Sequence, residues 1–472
     1  MNRNKTLLYD ERVGRLMLRL SLPAITGMIL YSLFSLIDTL FVARLGTSAL
    51  AALTLSVPIE ILLVSLGSAT GVGITSLLSR TLGRKDFAAA DNVAWHGLTI
   101  CIIYGIFFSW LGLVNIDYLL LLFGCTTELL ALTREYLSII LLGCLFTFVP
   151  MISGHILQGE GNTVLPMLTA LLGIILNVVL DPVLIFGLGP VQGMGLRGAA
   201  WATVIAQIAC SVMALLAMYK KRVFLSWTKR NFRPDITIII GIYKVGVPTL
   251  LMELISVALL VFFNKILLGF GSAAVAVMGI FVRIRSLFYM PIYGLAQGAM
   301  PIIGFAYGAG NYERVKETII KAAVGSLIFV FIGWFAMQFH SIWLMERFTG
   351  DNELIAAGVT CMRLATVWLP FMGPIIILGS VLQAAGRGMT AMWLSLIRQL
   401  GFFLPAVLIL PRYWELNGVW LAFSVSEFLS GILALLFLAR LWQSLQTSPN
   451  YNAYMVFKRG NLFQRIGAWL KW

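Results

Sequence analysis

The chain of 472 residues is 60% hydrophobic and 11% charged, whereas about 25% of the residues in a soluble domain are charged. This composition excludes an ordinary soluble protein and predicts an all-α integral membrane protein. The net charge of +14 would suggest nucleic-acid binding in a soluble chain. Here the basic residues gather near the two ends of the chain and in alternate loops, so we expect no nucleic-acid partner.

Apolar runs between polar breaks predict twelve transmembrane helices, since about 20 residues are enough to cross a bilayer. The predicted helices cover residues 17–43, 48–81, 88–114, 127–157, 165–187, 198–219, 237–267, 274–307, 314–340, 353–383, 392–410 and 418–441. Lys and Arg concentrate on one side of this arrangement, and in multi-pass proteins that side faces the cytoplasm. We therefore predict a multi-pass protein of the inner or plasma membrane with both termini in the cytoplasm.

The first predicted helix contains one acid in a stretch that is otherwise apolar. Residues 20–42 are long enough to span the membrane, and Asp38 is their only acidic or basic residue. A carboxylate at this depth costs several kcal/mol, so Asp38 needs a partner or a task. Pro23 lies near the start of the same helix and is expected to bend it. A bend there would let a change of charge at Asp38 alter the shape of the helix.

Polar residues of the fifth and sixth predicted helices are the natural partners of Asp38. Asn177 lies four residues before Asp181, so the two share a helix face. The sixth helix opens with small residues that allow close approach to a neighbour, and it carries Thr203. Together these oxygens suit a hard cation such as Na⁺ or a shared proton. We predict a cation-coupling site, with Na⁺ as the metal it could hold, at Asp38, Asn177, Asp181 and Thr203.

An internal repeat divides the chain into two halves. Pro23 matches Pro248, Gly46 matches Gly271, and "LQGEG" at 157–161 matches "LQAAG" at 382–386, all displaced by 225 residues. The predicted units are an N-terminal six-helix lobe at 1–219, a cytoplasmic linker at 220–236, a C-terminal six-helix lobe at 237–441 and a basic cytoplasmic tail at 442–472. Parallel repeats of this kind are typical of transporters, because one half can rock against the other.

The second half has its own buried acid, Glu253, in the seventh predicted helix. The tenth helix contains no acid that could join it in an ion site, so we assign Glu253 to the substrate cavity or to a secondary protonation site. Met28, Met252 and Met290 suit the walls of a promiscuous cavity, although methionine at helical spacing is more often ordinary core. Pro248 is expected to bend the seventh helix as Pro23 bends the first.

Residues of the kinds used in enzymes are present but scattered. The five cysteines stand alone, and His96, His155 and His340 are solitary, without an HExxH motif. We predict a protein that is not an enzyme and has no cofactor apart from its coupling ion. His155, inside the fourth helix, is balanced between a structural role and a place in the cavity. Glu60 and Glu427 are balanced in the same way between helix capping and function.

Four stretches resemble the multidrug and toxic compound extrusion (MATE) family over essentially the full chain. They are "LPAITGMILYSLFSLIDTLFVARLG", "LQGEGNTVLPML", "NVVLDPVLIFGLGPVQGMGLRGAAWAT" and "GLAQGAMPIIGFAYGAGNYERVK". The resemblance implies twelve helices in two lobes around a V-shaped central cavity, and export of cationic amphiphiles in exchange for Na⁺ or H⁺. It also makes Asp38 the functional aspartate of the first helix, with Asn177, Asp181 and Thr203 as its neighbours and Glu253 as the acid of the NorM-like branch.

Two departures from the family pattern favour the prokaryotic DinF-like branch over the NorM-like branch. Many relatives have an Asn followed by an Arg in the fourth helix, where this chain has "GHILQGEG" at 154–161. His155 is the candidate to replace the missing ligand. The acid that the NorM-like branch has in its tenth helix is absent from this chain as well.

The sequence thus favours a multidrug efflux antiporter that works by alternating access, and we expect a monomer in contact with membrane lipid. Its partners would be small organic cations or amphiphiles. The nearest alternative is a lipid-linked oligosaccharide flippase of the same superfamily, which would need several arginines for a pyrophosphate. Candidates within apolar helices are Arg283, Arg285, Arg363 and Arg398. A membrane receptor or scaffold that transports nothing is the alternative from a different class.

Overall fold

The computed structural model describes Leu8 and residues 11–188, 191–220 and 232–447, with the backbone alone at 31–40, 43, 191 and 441–447. Most of the predicted linker, at 221–231, and the tail from 448 onwards lie outside the described residues. The side chain of Asp38 lies outside them as well.

Within the described residues, the first half consists of eight helices and a short hairpin. Its helices are α1 (Val13–Ala43), α2 (Thr47–Gly83), α3 (Phe87–Val114), α4 (Ile116–Leu122), α5 (Thr127–Leu142), α6 (Cys144–Gly159), α7 (Val164–Phe186) and α8 (Leu196–Lys220). Strands β1 (Gly187–Leu188) and β2 (Val191–Gln192) pair antiparallel between α7 and α8. The hairpin and the short α4 were not expected from the hydropathy of the sequence.

The second half repeats this order. Its helices are α9 (Ile236–Leu268), α10 (Ser272–Gly308), α11 (Tyr312–Phe339), α12 (Ser341–Glu346), α13 (Asn352–Ala365), α14 (Met372–Ala384), α15 (Gly388–Leu396), α16 (Leu404–Ile409) and α17 (Pro411–Thr447). A 3₁₀ turn at Leu369–Phe371 precedes α14, and a π-helix at Ile397–Phe403 joins α15 to α16. Among the described residues, ten helices can span a membrane, or up to twelve if two bent pairs each count as one span.

The two bent pairs correct the helices predicted at 127–157 and 353–383, which are not straight. Helices α5 and α6 meet at an angle of 48°, and α13 meets the next helical segment at 52°. The first break falls at Gly143, where an added Cβ would stand 2.6 Å from a methyl group of Val204. The second falls before Pro370, which lacks the backbone N–H that a continuous helix needs. Hydropathy detects neither cause, because both segments remain apolar.

The last two spans also differ from the prediction of helices at 392–410 and 418–441. The backbone of α17 starts at Pro411 and turns at Trp414 and Glu415, which have non-helical torsion angles. Glu415 has a φ of +47°, a left-handed conformation that is uncommon for a residue other than glycine. The sharp turn lets the last helix follow the preceding one with almost no loop.

Buried apolar residues form one cluster shared by the two halves and separate clusters within each half. The shared cluster joins Ile74 and Leu78 of α2 to Ile302 of α10. The separate clusters contain Ile185 and Val204 in the first half and Phe263, Phe281 and Trp420 in the second. The halves therefore pack together at one end of the molecule and keep individual cores at the other.

Contacts between the halves pair α1 with α10 and α2 with α9. At Gly298 an added Cβ would lie 2.6 Å from the Cα of Ser21, so the two backbones touch. Ser76 Oγ donates to the Gln383 carbonyl at 2.5 Å near the same end. The predicted architecture of two six-helix bundles around a central cavity is confirmed.

Candidate functional site

A group of polar residues is buried where α7 packs along α8. Gly198, at the start of α8, lies against the backbone of Leu184, so the small residues there bring the two helices together. Helix α7 presents Asn177 and Asp181 one turn apart, and α8 presents Thr203. Asp181 is fully buried and Asn177 is 3% exposed. We call Asn177, Asp181 and Thr203 the N-half polar group.

The amide of Asn177 stands between the other two side chains. With its nitrogen turned towards Asp181, it donates to Oδ2 at 2.7 Å and to Oδ1 at 2.9 Å, while its oxygen accepts from Thr203 Oγ1 at 3.2 Å. With the amide reversed, its nitrogen donates to Thr203 Oγ1 at 3.2 Å and its oxygen faces the carboxylate. The reversed arrangement places acceptors against each other, so it requires a proton or a cation between them.

Both arrangements are possible because a threonine hydroxyl can either donate or accept. A half-turn of the Asn177 amide, matched by rotation of the Thr203 hydroxyl, exchanges one for the other without moving the backbone. The group can therefore hold Asp181 as a hydrogen-bonded carboxylate. It can also offer carboxylate and amide oxygens to a positive ion, and hard cations bind such oxygens.

Asp38 was predicted to belong to this group, and its side chain lies outside the described residues. The backbone of its helix is described, and α1 packs along α7. Before the two helices begin, the chain segments that lead into them are in contact, because an added Cβ at Gly161 would lie 3.1 Å from the Leu8 side chain. Further along, Gly27 faces Met167, with 3.9 Å between its added Cβ and the Met167 Cγ.

His155 lies apart from the N-half polar group. Thr75 Oγ1 of α2 donates to the His155 carbonyl at 2.9 Å and lies 3.2 Å from Nδ1. The imidazole fills the space beside Gly71, where a Cβ would clash with it. These contacts attach α6 to α2. They give no support to the expectation that His155 replaces a missing ligand beside Asp181.

The other residues assigned to the cavity are distributed along both halves. Glu253 of α9 accepts from Ser68 Oγ of α2 at 3.3 Å, so it joins the two halves. The three methionines, Met28, Met252 and Met290, are each partly buried. Pro23 and Pro248 lie inside α1 and α9 respectively, and both helices continue through them.

The second half contains a polar cluster that the sequence did not predict as a group. Glu427 of α17 is 4% exposed and accepts from the Tyr289 hydroxyl at 3.4 Å. Arg285 and Arg398 lie near enough to interact with it electrostatically. Its position in the interior of α17 excludes the helix-capping alternative for Glu427. Each charge was visible in its apolar helix, but no spacing in the sequence connects residues 285, 398 and 427.

The four arginines named as candidates for a flippase differ in their exposure. Arg283 and Arg363 are exposed, whereas Arg285 and Arg398 are partly buried. In the described part of the chain, no group of three His, Cys, Asp or Glu side chains could hold a metal ion. The oxygen-rich N-half polar group is of a different kind, since it contains a single carboxylate among its described residues.

Comparison with known proteins identifies the same duplicated pattern. The MatE family model matches residues 23–183 and again residues 248–407, so it recognises each half separately. The chain is 27% identical over 441 residues to the multidrug export protein MepA of Staphylococcus aureus, covering 92% of this chain and 96% of MepA. It is also 27% identical to the FAD transporter of Shewanella oneidensis, covering 90% of this chain and 94% of the relative.

The fold is also similar to a solved structure described as the outward-facing conformation of a multidrug resistance MATE family transporter. The TM-score is 0.89 at 28% sequence identity, and the match covers 95% of this chain and all of the other chain.

Proposed function

Because this chain belongs to the MatE family of membrane transporters, we propose that it is a secondary antiporter that exports organic cations or amphiphiles. Inward movement of Na⁺ or H⁺ supplies the free energy, since each charge crossing the membrane gains about 2.3 kcal/mol per 100 mV. As a transporter it catalyses no chemical reaction. The multidrug export activity in the name of MepA supports this substrate class.

The observation that carries the proposal is the pairing of a fully buried Asp181 with the Asn177 amide, which donates to both carboxylate oxygens beside Thr203. With the coupling ion absent, the Asn177 nitrogen donates to the carboxylate. With H⁺ on Asp181, or with Na⁺ bound to it, the amide presents its oxygen instead. Binding of the ion therefore exchanges hydrogen bonds inside the N-half polar group, and this exchange connects ion occupancy to the packing of α7 against α8.

Asp38 is the proposed second carboxylate of the coupling site. Helices α1 and α7 run in the same direction, so residue 38, eleven residues beyond the contact of Gly27 with Met167, is proposed to be level with residue 178. Both helices rise about 1.5 Å per residue, and that height falls between Asn177 and Asp181. A change of charge at this level would act on α1, whose bending at Pro23 is proposed to reshape the cavity.

The arrangement of the halves supports an outward-facing state. They are packed together at the end that bears Arg80 and Arg84. Basic loops lie on the cytoplasmic side of multi-pass proteins. The cavity is therefore proposed to open to the outside, with both termini in the cytoplasm. Glu253, Met28, Met252 and Met290 are proposed to line it, with Glu253 or His155 as a secondary protonation site.

The remaining expectations complete the proposal. The protein is proposed to act as a monomer in the inner or plasma membrane. The linker is assigned to residues 220–236, between lobes at 1–219 and 237–441, with a basic tail at 442–472. Coupling through the first half, as in the DinF-like prokaryotic branch, is supported by the N-half polar group.

The proposal is tested by efflux of a fluorescent lipophilic cation from vesicles that contain the purified protein. One series imposes a Na⁺ gradient at constant pH, and a second imposes a pH gradient at constant Na⁺. The variants are Asp38→Asn and Asp181→Asn. Asp117→Asn is the matched control, because Asp117 is 48% exposed and pairs with Arg134 on the surface.

We expect wild type and Asp117→Asn to export the cation under one of the two gradients, and the other two variants to lose that gradient-driven export. Retained substrate binding in Asp181→Asn would show that the loss lies in coupling and not in folding. Normal gradient-driven efflux by both Asp38→Asn and Asp181→Asn would overturn the assigned coupling site.

A further inference from the structure

The two halves place opposite charges at matching positions. The displacement of 225 that aligns Gly46 with Gly271 also aligns Glu60 of α2 with Arg285 of α10. In the first half, Ser56 Oγ donates to Glu60 Oε1 at 2.8 Å. In the second half, Phe281 takes the place of that serine, and the Arg285 guanidinium lies 5.4 Å from the centre of its ring. The acid and its hydroxyl partner are replaced by a guanidinium on an aromatic ring.

Arg285 is supported by aromatic faces on several sides. Its guanidinium carbon also lies 5.0 Å from the ring centre of Tyr289 and 5.5 Å from that of Phe423. Among the described residues, Arg285 forms no salt bridge, so its guanidinium is held by its contacts with these aromatic rings. A guanidinium stacked in this way keeps the donors at its edge available, and these donors match the planar shape of a carboxylate or phosphate.

The last helices of the halves can be aligned by structure as well as by sequence. Gly198 of α8 lies against the Leu184 carbonyl, and Gly418 of α17 lies against the Leu410 carbonyl. This register matches Gln207 with Glu427. Gln207 Oε1 accepts from Thr147 at 2.9 Å. In contrast, Oε2 of Glu427 is buried and has no hydrogen-bond partner among the described residues.

The net charge of the cluster determines which kind of ion the second half attracts. Two guanidiniums, those of Arg285 and Arg398, act on the single carboxylate of Glu427. Among the described side chains of this cluster, the sum is one positive charge. A net charge in surroundings of low dielectric is costly unless a counter-ion approaches. The missing counter-ion is an anion.

Irregular backbone helps to position the second guanidinium. Arg398 lies in the π-helix at Ile397–Phe403, and its carbonyl accepts from Ser426 Oγ at 3.1 Å. The neighbouring Gln399 accepts from Ser256 Oγ at 3.0 Å. Single π-helical turns within helices often occur at functional sites. Here the wider turn is held to α17 on one side and to α9 on the other, so Arg398 is fixed relative to Glu427.

We infer that the C-terminal half contains a binding site for one anionic group, a carboxylate or phosphate carried by an amphiphile. Arg285 and Arg398 are its cationic ligands. The partly exposed rings of Tyr289 and Phe423 provide the apolar contact for the rest of the molecule, while the buried ring of Phe281 supports Arg285 from the core. Glu427 is an internal anion that competes with the ligand for the guanidiniums. This site differs in position and in sign from the cation site proposed for the first half.

The test measures binding to the purified full-length chain in nanodiscs of zwitterionic phosphatidylcholine, without any ion gradient. The probes are dodecyl phosphate, laurate and, as the cationic counterpart, dodecyltrimethylammonium. Binding of the two anionic probes is expected to weaken at least tenfold in Arg285→Gln and in Arg398→Gln. Arg283→Gln is the matched control, because Arg283 lies on the same helix and is exposed.

The variant Glu427→Gln tests whether the site prefers anionic to cationic probes. Removing the competing carboxylate raises the charge of the cluster, so both anionic probes are expected to bind more tightly while the cationic probe does not. A structural role for Glu427 alone would weaken binding of all three probes. Thermal unfolding of each variant checks that its fold is intact.

Two further arms identify the source of the anion. Competition by inorganic phosphate points to a free anion, whereas competition by phosphatidylglycerol in the nanodisc points to a lipid headgroup. Either outcome supports an anion site at Arg285 and Arg398. Equal loss of binding in Arg283→Gln, no loss in Arg285→Gln, or weaker anion binding in Glu427→Gln would overturn it. Because the measurement uses no gradient, Asp181→Asn is expected to bind the anionic probes normally even if the proposed antiport fails.

Discussion

The two halves of the molecule share a helical framework but enclose polar groups of opposite character. In the first half, a carboxylate, an amide and a hydroxyl meet between α7 and α8, where Asp181 is fully buried. In the second half, Glu427 and two guanidiniums meet between α10, α17 and the π-helix. The two groups occupy different positions of the repeat, since Arg285 matches Glu60 and Glu427 matches Gln207. The side chains of each group determine whether a cation or an anion is attracted.

The same comparison explains why the halves bend in corresponding places. Each half contains one span that is broken, by 48° in the first and by 52° in the second. Each also ends with a helix whose early glycine lies against a carbonyl of the helix before it. These features depend on backbone geometry, which the duplication kept, whereas charge depends on single substitutions.

The largest expected difference between the halves concerns coupling. Asp181→Asn should lower gradient-driven cation efflux by roughly a hundredfold, because a hydrogen bond to a charged group contributes about 1.5 to 3 kcal/mol. Glu427→Gln should leave that efflux within about threefold of wild type, a change of less than 1 kcal/mol. Initial rates of efflux from vesicles measure both. Equal losses in the two variants would contradict the assignment of coupling to the first half.

A second expected difference concerns the matched pair Glu60 and Arg285. Glu60→Gln should raise the KM for a cationic substrate by about twofold to fivefold, the contribution of one partly exposed charge interaction. The dependence of efflux on the ion gradient should not change. Arg285→Gln should leave the same KM unaltered, since it lies in the half of opposite sign. A rise in KM in both variants would mean that the halves do not divide substrates by charge.

The contact that both halves share can be disturbed by one methyl group. In Gly298→Ala the new Cβ would lie 2.6 Å from the Cα of Ser21, so the backbones of α1 and α10 must separate. Overpacking of this kind costs about 1 to 3 kcal/mol, and the unfolding temperature should fall. Gly379→Ala is the control, because no atom lies within 4 Å of its added Cβ. An equal fall in the unfolding temperature of both variants would show that the loss of glycine flexibility in the helix, and not the contact with Ser21, lowers the stability.

The smallest expected effect is at the start of α9. The Asp235 carboxylate accepts from the Thr237 N–H at 2.8 Å and from the Thr237 hydroxyl at 2.7 Å, and these hydrogen bonds lower the pKa of Asp235. Its stabilising contribution is therefore present above the ordinary value of about 4 and is lost as the pH falls through the lower value in the folded protein.

Asp235→Asn keeps a capping side chain without a titrating group. The difference in unfolding temperature between wild type and this variant should be present near neutral pH and should shrink as the pH is lowered towards about 3. Thermal unfolding across this range measures it. A difference that grows on acidification would contradict the sign of the pKa shift.

Several elements could be predicted because their cause is local. Alternating apolar runs and basic loops predicted the spans, and the displacement of 225 between Gly46 and Gly271 predicted the duplication. The four-residue spacing of Asn177 and Asp181 placed both on one face of a helix. The break at Gly143 could not be found in this way, because its contact with Val204 joins residues far apart in the sequence.

Composition, the spacing of apolar runs and the internal repeat are properties of the sequence. They were sufficient to predict that the chain lies in a membrane, that it has two related halves and that each half buries acidic residues. Which polar groups are in contact became clear from the tertiary structure alone. It joined Asn177 of α7 to Thr203 of α8, and it placed Arg285 and Arg398 around Glu427. It also left His155 beside Thr75. Such contacts join side chains of helices that are far apart in the sequence. In a chain that is apolar throughout, the pattern of hydrophobic residues does not specify how those helices pack.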